Sequence, residues 1–174
     1  MKIRFQYLIY LFRHKWFVFW ACIEFGVPLW RAVIHDWSKL TPAEFLPYAQ
    51  NWFWTKEQKN DETIREGGLV GNIYEAIPFG KLISDRYTVA LNHHFHNNPH
   101  HWDYWVVHKV GEKPWGLPMP ETYVREMLAD WKGAGLAKND KNDVVAWYKK
   151  NGRGFIIRDE TRILIEKLLG INNG

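Results

Sequence analysis

Apolar residues in this chain recur at intervals of three and four, and several of these stripes include a side chain that can carry charge. Tyr7, Tyr10, Leu11, His14, Val18 and Ala21 keep this spacing through residues 3–25, the periodicity of a helix with one buried face. Tyr87, Ala90, Leu91 and His94 repeat it, with His93 three residues after Ala90. Tyr123, Met127 and Asp130 repeat it again in a helix expected from Pro120 to Trp131. No period-two alternation is strong enough for a sheet, so the pattern predicts an all-α fold. It also sets a chemical problem. A histidine on an apolar stripe is ordinarily a core residue held by hydrogen bonds, whereas a buried carboxylate needs a partner because leaving it unpaired is very costly. For Asp130 the plain partner is an arginine, Arg125 or Arg31.

The segment His35-Asp36-Trp37-Ser38-Lys39 lies where one helix is expected to end and another to begin. Pro28 to Asp36 reads as a short helix with Pro28 at its first position, where a missing amide hydrogen is harmless. Asp36 then falls in the last turn, where the helix dipole disfavours a carboxylate unless a cation compensates it. Thr41-Pro42-Ala43-Glu44 has the form of a capping box opening a helix from Pro42 to about Phe53.

Six of the eight histidines fall between positions 93 and 108. Ser84 or Asp85 can cap the helix that carries His93 and His94. Asn97-Asn98-Pro99 breaks it and restarts the chain before His100, His101, Trp102, Tyr104 and Trp105. Two helices facing across that turn would bring His93 or His94 near His100 or His101. Neutral imidazoles so placed suit zinc, manganese or iron; the plainer reading is a solvated histidine-rich turn. Further on, Lys113 to Pro118 reads as a loop and Lys132 to Asp143 as a polar, glycine-containing loop. Short helices are expected over Asp143–Lys149 and about Asp159–Leu169, the last stopped by Gly170. A hairpin near Gly154 to Arg158 is the one strand pairing considered, and Thr55 to Gly71 reads as a loop or a poorly packed helix.

At 174 residues the chain suits one domain, long enough to bury roughly 70% of its unfolded surface. Most of the eleven tryptophans are expected in the core, with a minority free to stack on a ligand. A net charge of +4 and a pI near 9.1 suit an anionic ligand without requiring nucleic acid. The single cysteine, Cys22, excludes an internal disulfide and a thiolate metal cluster, and fits a reducing compartment, with cytoplasm expected. It lies in an apolar helix and is expected to be inert. Near the N-terminus, charged residues leave Trp16 to Ile23 as an uncharged run of only eight, far short of the roughly 18–20 residues of a span; no membrane partner is expected. Neither a GxGxxG fingerprint nor a phosphate loop is present.

Taken in order, His14, His35 with Asp36, paired histidines and Asp130 resemble the HD-domain superfamily of metal-dependent phosphohydrolases. That pattern is a histidine, a histidine–aspartate pair and a later aspartate on a separate helix. His35, Asp36 and Lys39 also match the HD-x-x-K form of the two-metal branch, in which the lysine helps to hold phosphate. The chain is more closely similar to an uncharacterised family of bacteria and their phages, which has an HDxSK segment, an HHW-aromatic segment and a PE-x-Y-V-R-E-M-x-x-D-W helix. All three are present here.

The resemblance implies an HD-domain-like helical bundle over residues 1–131, with residues 132–174 a C-terminal helical appendage packed on the same domain. It implies one or two divalent metal ions, of manganese, zinc, iron, magnesium or cobalt. His14, His35, Asp36 and Asp130 would hold the first; two of His93, His94, His100 and His101 would hold a second, bridged by Asp36. The implied reaction is hydrolysis of a small phosphate ester, a nucleotide first, with Asp36 and Lys39 as catalytic residues and Trp37, Trp102 or Tyr104 available to a base. Two other readings stand beside it. One is a di-iron oxygenase of the same superfamily; the other is a non-catalytic helical interaction module with a structural metal site and a basic surface for an acidic partner or nucleic acid.

Overall fold

Strongly periodic segments became helices close to their expected limits, and the differences lie where glycine, proline or a single turn decides. The computed structural model describes residues 2–54, 79–138 and 143–171. Seven α-helices are present among them: α1 (Lys2–Glu24), α2 (Leu29–Ile34), α3 (Pro42–Phe53), α4 (Phe79–Asn97), α5 (Glu121–Ala137), α6 (Val144–Asn151) and α7 (Asp159–Leu168). The fold of the described residues is all-α. Its one strand pairing among the described residues is a two-residue antiparallel ladder, β1 (Val106–Val107) on β2 (Trp115–Gly116). β2 falls within Lys113–Pro118, a stretch expected to be loop, and β1 precedes that stretch; the pairing does not involve Gly154–Arg158. There a short 3-10 turn, Gly152–Gly154, follows α6, and Phe155–Arg158 run on to α7 without forming a strand. The segment read as loop or loose helix, Thr55 to Gly71, lies outside the described residues.

The chain divides into two compact units, Met1–Ile9 with Ser38–His94, and Tyr10–Trp37 with Phe95–Gly174. The first is built on aromatic rings. Tyr7, fully buried, meets Phe45 edge-on at 5.0 Å and stacks on Tyr48 at 6.1 Å, and Tyr48 meets Tyr87 at 5.1 Å. Edge-to-face contacts of this kind add to the area the rings bury.

The second unit has an aliphatic core. Val18, Ala21, Cys22, Val27, Ala32 and Ala129 form one cluster, and Met119, Val124, Met127, Leu128, Tyr148 and Ile165 another. Through Tyr148 and Ile165, residues beyond 131 share the core that α5 organises. α5 itself runs on past Trp131 to Ala137, through glycines read from sequence as loop. At Gly133 the reason is close approach. A Cβ there would lie 2.4 Å from Cγ2 of Val18 and 2.7–2.8 Å from its backbone, so glycine is used for contact rather than for a turn.

Other ends also moved. Pro28 is the residue before α2 rather than its first, and α2 stops at Ile34, leaving Asp36 outside it. Thr41 does precede α3 with Pro42 in the first position, but no side chain caps the helix. The Thr41 hydroxyl donates instead to the carbonyl of Ser38, at 2.7 Å. α4 begins at Phe79, so Ser84 and Asp85 lie inside it. After Asn98 and Pro99 the chain forms a 3-10 turn, Trp102–Trp105, rather than a second α-helix.

The tryptophans depart furthest from expectation. None of the eleven is fully buried, and Trp16, Trp20, Trp30 and Trp37 are more than half exposed. The cores are filled by tyrosine, methionine and aliphatic residues.

Candidate metal centre

In the second unit the His35–Asp36 pair turns inward because of one backbone conformation. Asp36 has φ +54°, the sole positive value outside glycine among the described residues. Left-handed backbone is uncommon for side chains with a Cβ, and aspartate tolerates it better than most. The turn directs two consecutive side chains into one buried cluster, with His35 2% and Asp36 1% exposed. The stripe of α1 supplies His14, and α5 supplies Asp130 and Glu126, four residues apart on one face. His100 comes from the turn after α4. All are buried.

The ring nitrogens converge on carboxylate oxygens. His14 Nε2 is 3.0 Å from Asp36 Oδ2 and 3.3 Å from Asp130 Oδ1. His35 Nε2 is 3.3 Å and 3.4 Å from the same two oxygens. His100 Nε2 approaches the other Asp36 oxygen, Oδ1, at 3.2 Å. Behind the rings, Glu126 Oε1 accepts from His35 Nδ1 at 3.1 Å, while Glu126 Oε2 accepts from Arg31 at 2.6 and 2.8 Å. His35 therefore spends its Nδ1 proton on Glu126. In the neutral ring its Nε2 then presents a lone pair to two carboxylates, and neither approach has hydrogen-bond geometry. Acceptors facing acceptors in a buried site need a cation between them.

The titration tendencies express the same need. Burial alone would lower the His35 pKa, yet the charge of Asp36 and the close carboxylates of Asp130 and Glu126 hold it well above the usual imidazole value. Burial would raise Asp130, but His35 and then His14 hold it well below the carboxylate range. His100 is pushed down, by burial first and by the charge on His35 second. Either a proton on His35 or a metal ion can supply the positive charge. His14, His35, Asp36 and Asp130 each offer one ligand atom within 4.8 Å of the others, and so do Asp36, His100 and His101. The donor set of imidazoles and carboxylates is one that divalent zinc, manganese and iron accept.

Asp130 thus has histidines for partners. Arg31 is taken by Glu126, and Arg125 pairs with Glu121 and donates to the carbonyl of Phe25, so the arginine expected for Asp130 is absent among the described residues.

His93 and His94 lie in the first unit, on Glu44. That glutamate, expected at a helix cap, is fully buried. It accepts from Nδ1 of both rings at 2.8 Å, and Ser38 Oγ lies 3.1 Å from the same His94 nitrogen. Lys39 is half-buried in the 3-10 turn Trp37–Leu40. Two carboxylates were missed from sequence. Glu126 was legible in principle, one helical turn before Asp130. Glu44 was hidden by its fit to a capping pattern.

An all-α protein with a buried histidine–carboxylate cluster able to hold a metal ion is the class that this fold and site define. Residues 4–171 match the Family of unknown function (DUF5662), and the chain belongs to that family. No curated protein and no solved structure matches it.

Proposed function

We propose that the chain is a metal-dependent phosphohydrolase acting on a nucleotide or other small phosphate ester. The observation that carries the reading is the gathering of His14, His35, Asp36 and Asp130 in one buried cluster. Their order along the chain is that of the HD-domain pattern. These four residues would hold one divalent ion. The two oxygens of Asp36 face different histidines, so Asp36 would also serve a second ion with His100 and His101. Such ions lower the pKa of bound water toward neutrality and offset charge on phosphoryl oxygens. Glu126 keeps His35 in the tautomer whose Nε2 lone pair points at the site. Lys39 enters on the HD-x-x-K resemblance alone, as the cation that would neutralise a phosphate oxygen.

The test begins with the metal content of untagged protein, wild type beside Asp36→Asn, followed by a nucleotide panel read for released phosphate in manganese, zinc, magnesium, cobalt and iron. Metal in the wild type, lost in the variant, together with metal-dependent phosphate release, is expected. Retained iron with oxygen consumption and no phosphate release would turn the reading to oxygen chemistry. Failure of the wild type to take up any of these metals would overturn both.

A further inference from the structure

From its surface we infer that this protein docks on a lipid bilayer carrying anionic headgroups, through the outer face of α1 and α2. The buried stripe of α1 accounts for one side of that helix only. On its other side Phe12, Trp16 and Trp20 follow at spacings of four and are 65%, 61% and 53% exposed. Trp30 and Val33 of α2, and Trp37 just after it, are exposed to a similar degree. Nine of the twenty large apolar residues exposed among the described residues fall between positions 12 and 37, all in the second unit. So much apolar surface in one segment marks an interaction site rather than the usual scatter of single residues.

Charge and composition choose the occupant. Residues 1–41 contain six basic residues, Lys2, Arg4, Arg13, Lys15, Arg31 and Lys39, and two acidic ones, Glu24 and Asp36, a net +4. The whole chain is also +4, from 23 basic and 19 acidic residues, so residues 42–174 balance to zero. The segment that exposes apolar surface therefore carries the chain's formal net charge; Arg31 within it is paired with Glu126, while Arg13 and Lys15 lie over the rings of Phe17 and Trp37. A second copy docked on this face would bring two such segments together, whereas an anionic bilayer satisfies both properties at once. Four of the exposed side chains are tryptophans, whose apolar body and single N–H suit the membrane–water interface. Lys15 lays its amino group over the Trp37 ring, 5.4 Å from the centroid, keeping charge at the edge of the apolar surface. No helix among the described residues is long and apolar enough to cross a membrane, so α1 would lie in the interface plane. The expectation of no membrane partner came from the lack of a span, which does not bear on this mode.

The deciding experiment is flotation with vesicles of phosphatidylcholine alone and of equal parts phosphatidylcholine and phosphatidylglycerol. Wild type is compared with Trp16→Glu/Trp20→Glu, a double variant at exposed positions of α1 outside the metal cluster. An unchanged melting temperature and metal content would show that the variant is folded. The wild type should float with the mixed vesicles, less with phosphatidylcholine alone, and less again at high salt. Its tryptophan emission should shift to the blue, and the variant should lose about tenfold or more in partition. No flotation by the wild type, or flotation untouched by the variant, overturns the inference. So does a dimer seen by light scattering that the variant splits without any vesicle binding, which would assign the face to a second copy.

Discussion

The molecule contains two carboxylate–histidine clusters, each on a buried carboxylate, that use the same groups to opposite ends. In the first unit a single glutamate, Glu44, takes the Nδ1 protons of His93 and His94 at 2.8 Å each, and both of its oxygens are satisfied. In the second unit Nε2 atoms of His14, His35 and His100 point at Asp36 or Asp130 over 3.0–3.4 Å. There Glu126 already holds the outer nitrogen of His35. One cluster closes on itself; in the other, His35 Nε2 faces two carboxylates without a hydrogen bond. Whether a histidine and a carboxylate make a structural pair or a candidate metal site is decided by which ring nitrogen faces the acid.

The sharpest way to break this contrast is Asp36→Asn, which keeps the shape and tolerates the left-handed backbone while removing the charge. Bound metal should be lost, with a fall in affinity larger than the roughly 10–100-fold that follows loss of a supporting hydrogen bond; elemental analysis after dialysis checks it. Glu126→Gln should fall within that roughly 10–100-fold range, read by metal titration, because it loosens the tautomer of His35 without removing a ligand. Glu44→Gln belongs to the other class. It should leave metal content intact and cost about 1–3 kcal/mol of stability, measured by urea unfolding.

The pH dependence separates the two regions further, with smaller effects. Burial pushes the pKa of Glu44 up, but the hydrogen bond and charge of His94, with His93 and Ser38, bring it below its ordinary value of 4.5. The unfolded chain therefore takes up the proton more readily. The stability Glu44 provides is present above 4.5 and lost as pH falls through the depressed native value. Glu44→Gln should flatten that acid limb. On the alkaline side, burial first and the charges of Glu126 and Asp130 next push the Cys22 thiol from 9.0 up to about 11, against the opposing charges of His35 and Arg31. Its contribution to stability is full below 9.0 and lost as pH rises toward 11. A thiol reagent at pH 9 should label unfolded protein and spare the native chain.

Much of this was legible in the sequence because helical periodicity reports burial. His14 and Asp130 were placed inward by their stripes, and α3 has the limits that Thr41-Pro42 and the following apolar residues indicated. Other features depended on contacts between distant segments. Gly133 reads as a helix breaker until Val18 is seen against it. Glu44 reads as a cap until two imidazoles from α4 are seen on it. Asp36 reads as part of the last turn of a helix, and nothing local announces its left-handed backbone. The tryptophan count could not distinguish core from surface, and the structure leaves four of the eleven more than half exposed.

That backbone conformation at Asp36 has a practical consequence. Left-handed geometry costs a residue with a Cβ roughly 1–2 kcal/mol, and glycine almost nothing. A library randomised at position 36 and sorted for heat tolerance should enrich glycine, whereas the same library sorted for metal retention should return aspartate. Position 36 is thus where selection for durability and selection for metal retention would pull the sequence apart.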